Sequence, residues 1–208
     1  MSGFCHLHLH TCYSLLDGAC KLEDLMKKVV EKGQKAVAIT DHGVMFGAVD
    51  FYKIAGKYGV KPIIGCEVYV APASRFDKTD RIQNPPFHLV LLCKNNTGYQ
   101  NLIKLVSLGF TEGFYGKPRV DKETLKRYSE GLIALSACLA GEIPRKLSAG
   151  EYDAAKRTAQ EYAQIFGKDN FYIELQDHGI AAQKRIIPDL IKIALECSLE
   201  CVATNDVH

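Results

Sequence analysis

The chain has 208 residues, 47% of them hydrophobic and 24% charged, enough apolar material for one folded domain with a substantial core. The formal net charge of +2 tolerates a polyanionic partner without demanding one. The N-terminus, MSGFCHLHLHTCYS, lacks a basic region followed by a long apolar run, and no uninterrupted apolar stretch reaches membrane-spanning length, which argues against export and membrane insertion and for a cytoplasmic protein.

In chain order, seven apolar or β-branched runs predict strands, at 4–9, 36–40, 61–70, 87–93, 132–137, 171–175 and 199–204. Helical spacing lies between them: Leu22, Leu25, Met26 and Val29 fall at i, i+3, i+4 and i+7, and the segments 46–58, 97–109, 150–166 and 180–198 are comparable. Such alternation predicts a mainly parallel sheet covered by helices, because parallel strands need long crossovers. An open doubly wound sheet and a closed barrel both satisfy it. No glycine-rich phosphate fingerprint follows the first strand, so a barrel is preferred. The polar segment 71–86 (APASRFDKTDRIQNPP) reads as an excursion loop. The eight cysteines form no CxxC pair, so reduced, mostly buried thiols are expected.

Residues able to do chemistry gather at strand ends. In HLHLHT, alternation predicts that His6, His8 and His10 share one face. AVAITDHG ends a strand at Asp41 and His42, the rim where parallel α/β folds assemble sites, and Asp41 is suited to orient a neighbouring histidine. Glu67 interrupts the apolar run IIGCEVYV, a costly place for a carboxylate unless a cation or partner compensates it. Asp206 and His208 repeat the pattern in CVATNDVH, and Cys138 follows LIALSA with a thiol suited to zinc. Asp17 in SLLDGA also reads as a turn residue. His88 opens its strand instead of ending it, so it reaches the same rim only if that strand runs the other way. His178 reads as a loop or substrate-contact residue. Taken one at a time, each has an ordinary structural reading; the recurrence of His, Asp, Glu and Cys at successive strand ends points to a metal centre with too many ligands for one ion.

HLHLHTCYSLLDG, AITDHGVMFGAVDFY, GCEVYVAP, LSACLAGEIP and ATNDVH together resemble the PHP (polymerase and histidinol phosphatase) domain of bacterial DNA polymerase III alpha subunits, over essentially the whole chain; SLLDGA, TDHGVMFGA and TEGFYGKPRV are similar to the polymerase branch. The resemblance implies a distorted (β/α)7 barrel, here cut short at its C-terminal end, with residues 1–208 an N-terminal fragment of a replicative polymerase whose polymerising parts lie elsewhere. It implies two or three divalent ions, zinc first, with manganese or iron as alternatives. His8, His10, Glu67 and Asp206 would hold one ion; Glu67, His88 and Cys138 a second; Asp17, His42 and His208 a third. His6 and Asp41 have no direct ligand role in that scheme.

The implied activity is 3′–5′ exonuclease proofreading at a DNA primer end, with Asp17, His42 and Glu67 central to catalysis and replisome subunits as further partners. Phe114, Tyr115, Lys117 and Arg119 in GFYGKPR are suited to stack bases and touch phosphates, though an ordinary solvated loop fits them equally. The rivals are a small-molecule phosphomonoesterase of the histidinol phosphatase type, a non-catalytic metal-stabilised scaffold and a metal-dependent amidohydrolase. The last needs a bridging lysine or equivalent that the sequence does not supply.

Overall fold

A computed structural model describes residues 3–79 and 82–208; residues 80 and 81 of the expected excursion loop lie outside this description. Seven α-helices and seven β-strands are present among the described residues: α1 (Leu22–Glu31), β1 (Ala36–Ile39), α2 (Ala48–Lys57), β2 (Lys61–Val70), β3 (Phe87–Cys93), α3 (Asn96–Thr111), β4 (Arg119–Val120), α4 (Lys122–Arg127), β5 (Leu132–Leu135), α5 (Glu142–Ser148), α6 (Tyr152–Phe166), β6 (Phe171–Leu175), α7 (Ala181–Cys197) and β7 (Glu200–Ala203). The expected α/β architecture is what forms, as a sheet curled into a half-barrel with helices outside.

Local chemistry accounts for the helix boundaries. α1 buries Leu22, Met26 and Val29 on one face and carries Glu23 and Asp24 in its first turn with Lys28 in its last, matching the helix dipole. Asn95 caps α3 by accepting from Gly98 N at 3.0 Å. Asp121 and Thr124 form a reciprocal capping box on α4, a short helix that apolar periodicity alone does not reveal.

Strand order is β1-β2-β3-β5-β6-β7, with β4 added beside β2. The pairs β1/β2, β2/β4, β5/β6 and β6/β7 are parallel, whereas β3 is antiparallel to both β2 and β5. That reversal departs from the expected parallel alternation. Antiparallel neighbours such as β2 and β3 need no crossover helix between them.

The first expected strand also differs. Residues 6–11, bent at His8, join no regular ladder: His6 O and Leu9 O accept from Ala38 N and Thr40 N at 2.8 Å, while His10 N donates to Val207 O at 2.7 Å. The segment therefore lies between β1 and the 206–208 end, drawing the two sides of the curled sheet together. The seventh strand of the count is instead the two-residue β4.

Register sets which side chains face inward. Glu67 opposes Val90, Val90 opposes Leu135, and Tyr69 opposes His88, so all of these share the inner face. Ala38, Val90, Leu92, Leu135 and Ala137 fill the lower part of that interior. The larger core lies outside the sheet, where Leu102, Leu105, Tyr162, Phe171 and Ile193 pack under α3, α6 and α7. Apolar packing thus surrounds one polar opening at the upper rim.

Candidate metal centre

At that rim a single carboxylate stands amid histidines. Glu67 is 0% exposed; its Oε1 lies 3.2 Å from His8 Nε2 and 3.0 Å from His88 Nδ1, and its Oε2 lies 2.5 Å from His42 Nδ1 and 3.9 Å from His10 Nε2. Asp206 Oδ1 is 3.1 Å from His8 Nε2, 3.2 Å from His10 Nε2 and 3.3 Å from His208 Nε2. Asp17 Oδ2 lies 2.6 Å from His42 Nε2 and 3.4 Å from His208 Nδ1, and Cys138 Sγ lies 4.0 Å from His88 Nδ1. The nine residues that the resemblance implies as ligands are therefore neighbours in the structure.

β3 running antiparallel carries His88, at its start, to the rim where the other strands end; His88 N donates to Ala140 O at 3.1 Å, which sets the Cys138 loop beside it. The 11–20 turn delivers Asp17. A Cβ on Gly18 would stand 2.0 Å from Thr11 O, so only glycine allows the turn to close so tightly. Asp206 sits at φ 45°, a left-handed conformation that Asp tolerates better than most residues.

The donor atoms fit metal ions better than they fit each other. His8 Nε2, His10 Nε2, His42 Nδ1, both Glu67 oxygens and Asp206 Oδ1 are buried without a hydrogen bond of acceptable geometry, although they converge at ion-pair distances. Buried polar atoms this close and unsatisfied are costly unless a cation takes their lone pairs. Three sets have ligand atoms within 4.8 Å of one another: His8, His10 and Asp206; His42, Glu67 and His88; and His10, His42 and His208. The first holds three of the four residues expected together and lacks Glu67, the second has His42 where Cys138 was expected, and the third has His10 where Asp17 was expected.

The electrostatics are those of a compact, interdependent cluster. Burial works against the charged form of His8, yet Glu174 and Glu67 raise its pKa well above the usual histidine range; His42 is raised likewise by Glu67 and Asp17 against the effect of burial. For His10 burial dominates and the pKa falls. Burial would raise Glu67, but His42, His8 and His88 hold it well below the carboxylate range, and His10 and His8 do the same for Asp206. Burial pushes the Cys138 thiol far up, so thiolate there requires a cation.

The supporting residues were largely illegible in the sequence. His8 Nδ1 donates to Glu174 Oε1 at 2.6 Å, and the same oxygen accepts from Gln176 Nε2 at 3.0 Å and from Thr204 Oγ1. This bond keeps a proton on Nδ1 and turns Nε2 toward Glu67 and Asp206, the usual carboxylate–histidine arrangement beside a metal. The signal existed, since Glu174 interrupts the apolar run FYIEL just as Glu67 interrupts IIGCEVYV.

Asp41 acts one shell further out. It accepts from Thr11 N and Ser14 Oγ, both at 2.7 Å, and Ser14 Oγ lies 3.4 Å from His10 Nδ1 while accepting from His42 N at 3.1 Å. The orienting role expected for Asp41 thus passes through Ser14.

His6 does not share the face of His8 and His10. A bend at His8 breaks the alternation, and His6 packs edge-on against Phe4 at 5.0 Å, beside Leu9, Val29 and Lys32 on the outside. His178 is exposed, held by Gln183, and belongs to none of these three sets.

A cleft of about 810 Å³ opens over Asp17, His42 and His88. Lys117 lines it, with Nζ 3.2 Å from Tyr69 Oη and 4.9 Å above the Tyr69 ring. Phe114 is exposed and stacks on Phe110 at 6.2 Å. Tyr115 instead lines a separate cavity of about 150 Å³ with Ser74, Asp77, Thr79 and Asn84. Arg119 does not face the metal cleft: it is buried, donating to Gly113 O, Arg75 O and Asp77 O at 3.0, 3.1 and 2.7 Å.

Comparison with known proteins agrees with this architecture. The PHP domain family model matches residues 6–178. The DNA polymerase III subunit alpha of Treponema pallidum is 50% identical over 207 residues, covering 99% of this chain and 18% of that protein; that of Thermus aquaticus is 51% identical over 209 residues, covering 99% and 17%. The chain thus spans less than a fifth of the length of these relatives.

Among solved structures, an amidohydrolase from Chromobacterium violaceum with bound sulfate superposes with a TM-score of 0.60 at 15% identity, covering 98% of this chain and 87% of that one. A two-domain protein from Bacteroides vulgatus containing a predicted PHP-like metal-dependent phosphoesterase gives 0.55 at 13% identity, covering 98% and 51%. At these identities the structures speak for the fold alone. With the family model spanning most of the residues that build the rim, the chain belongs to the PHP domain family.

Proposed function

We propose that this chain is a metal-dependent phosphodiesterase that hydrolyses the 3′ end of a DNA strand, within a larger replicative polymerase. The observation that carries the reading is Glu67: a wholly buried carboxylate with both oxygens turned to four imidazoles has the position and chemistry of a ligand bridging two ions. By this reading His8, His10, Glu67 and Asp206 would hold one divalent ion, Glu67, His88 and Cys138 a second, and Asp17, His42 and His208 a third, with zinc the first choice and manganese or iron the alternatives. Such ions supply Lewis-acid activation of the attacking water and neutralise charge on the phosphoryl oxygens and leaving group.

The chain's own residues do the rest. Glu174 holds the His8 proton on Nδ1 and thereby fixes the ring's orientation. Asp17 and His42 face the open side of the cluster, where a scissile phosphate reaches it, and with Glu67 they are the catalytic residues of this proposal. The breadth of the cleft supports a polymeric substrate over a small phosphomonoester, which fits a narrower pocket better. Residues 1–208 act as one phosphoesterase domain, and similarity to polymerase alpha subunits supports DNA, the rest of the polymerase and replisome subunits as partners in the cytoplasm. No helix among the described residues is long and apolar enough to cross a membrane.

The test is shortening of a labelled primer with a mispaired 3′ end by metal-loaded protein, alongside metal analysis, for the native chain and Asp17→Asn. Loss of cleavage in the variant with the fold retained is expected. Equal cleavage by both, or phosphate release from monoesters with no shortening of DNA, would count against the proposal.

A further inference from the structure

The mouth of the cleft is unusually apolar for a surface that water reaches. Leu15, Leu16 and Phe46 are exposed there, and Phe110 lines the same space. Leu16 is fully exposed at φ 67°, a left-handed conformation that a leucine rarely adopts. Its turn is fixed from below, since Asp17 N and Gly18 N both donate to Ser14 O and Ser14 is bound by Asp41. A large side chain is thus presented to solvent by a braced backbone, and grouped exposed apolar residues of this kind mark a ligand surface.

Charge narrows the ligand. Apart from Asp17, the charged side chains lining the cleft among the described residues are Lys117 and Arg145. Arg145 places its guanidinium on the Pro85, Pro86 and Ala140 carbonyls, whereas among the described residues the Lys117 ammonium meets only the neutral hydroxyl and ring of Tyr69 and keeps its charge for a ligand. A wall offering flat apolar contact and a free cation matches an anionic backbone carrying bases. A duplex end withholds its bases in the stack and offers such a wall only phosphates, while an unpaired end offers both.

Resting on the proposed phosphodiesterase reading, we infer that Leu15, Leu16, Phe46 and Phe110 form a base-binding ledge, with Lys117 as the phosphate contact, and that this ledge makes the site selective for unpaired strand ends. The exposed Phe114, stacked on Phe110, extends the ledge by one ring for the preceding base.

The experiment compares the native chain with the double variant Leu16→Ser, Phe46→Ser and with Lys117→Ala; all three side chains are outside the core, and folding is verified by circular dichroism. Zinc-loaded protein is titrated into a short labelled oligonucleotide with a cleavage-resistant phosphorothioate 3′ linkage, single-stranded or as a blunt duplex, and binding is read by fluorescence anisotropy. The native chain is expected to prefer the single strand. The double variant is expected to lose roughly tenfold in single-strand affinity and with it that preference. Lys117→Ala is expected to weaken both complexes and to reduce the slope of log affinity against log salt by about one. Equal native affinity for single strand and duplex, or an intact preference in the double variant, would overturn the inference. If the native chain cleaves no unmodified oligonucleotide, the phosphodiesterase reading fails, and the ledge is then judged by anisotropy alone.

Discussion

Replacing Glu174 with alanine tests whether the rim is a metal centre with an ordered support. In the native fold Glu174 Oε1 accepts from His8 Nδ1 at 2.6 Å, from Gln176 Nε2 at 3.0 Å and from Thr204 Oγ1, all in a buried setting. Glu174→Ala deprives all three donors of that acceptor and frees the His8 ring to turn or to move its proton to Nε2, the nitrogen facing Glu67 and Asp206. Loss of such a support lowers metal affinity by about 10- to 100-fold, or roughly 1.4–2.8 kcal/mol. Unpaired buried donors add about 1–3 kcal/mol of destabilisation in the metal-free protein. A zinc titration against a chromogenic chelator reads the first effect, and denaturant unfolding in excess chelator reads the second. Glu174→Gln, whose amide oxygen still accepts from His8, is expected to fall between native and alanine in zinc affinity. Native zinc affinity in Glu174→Ala, with the expected loss of stability, would refute the orienting role and leave Glu174 as a structural residue only.

Zinc at a thousandfold excess over its dissociation constant is expected to stabilise the chain by about 4 kcal/mol, visible as a rise in Tm that chelator reverses; an unchanged Tm would remove the metal reading of the cluster. Cobalt substitution is expected to give a thiolate-to-metal charge-transfer band that Cys138→Ser abolishes, and its absence from the native protein would exclude Cys138 as a ligand. Arg119→Ala strips partners from three carbonyls and is expected to cost about 2–3 kcal/mol of stability while leaving DNA affinity and its salt slope unchanged; a reduced slope would instead assign Arg119 to DNA.

Glu142 supplies a pH test away from the cluster. Burial would raise its pKa, but Lys146 and Lys122 hold it below the usual value, so its stabilisation is present above the unfolded pKa and is lost as pH falls through the folded one. Glu142→Gln is expected to lose about 1–2 kcal/mol at neutral pH, a figure reduced because both lysines reach solvent, and to flatten the decline in stability below about pH 5. A decline as steep as that of the native chain would place the acid-sensitive group elsewhere.

Much of the candidate site was legible because residues suited to holding metals leave a local mark. Histidines, acids and a cysteine at the ends of apolar runs are costly individually and intelligible together, which is why Glu67 and the His8–His10 pair stood out before any fold was known. Helices such as α1 were legible for a similarly local reason, since periodic burial and end charges lie within one segment.

What depended on the tertiary structure was everything set by partners distant in sequence. Strand direction follows from pairing, so only the sheet could reverse β3 and bring His88 to the rim. A bend at His8 turned His6 outward against the alternation. Glu174 acquired its role from His8, 166 residues away. Arg119 sat in a motif that read equally as a nucleic-acid contact or a surface loop, and became a buried clamp once Gly113, Arg75 and Asp77 presented their carbonyls. Residue type determines what chemistry a side chain is able to do, whereas direction, register and the third partner of each hydrogen bond come from packing the whole sheet, and these decide which chemistry each residue performs.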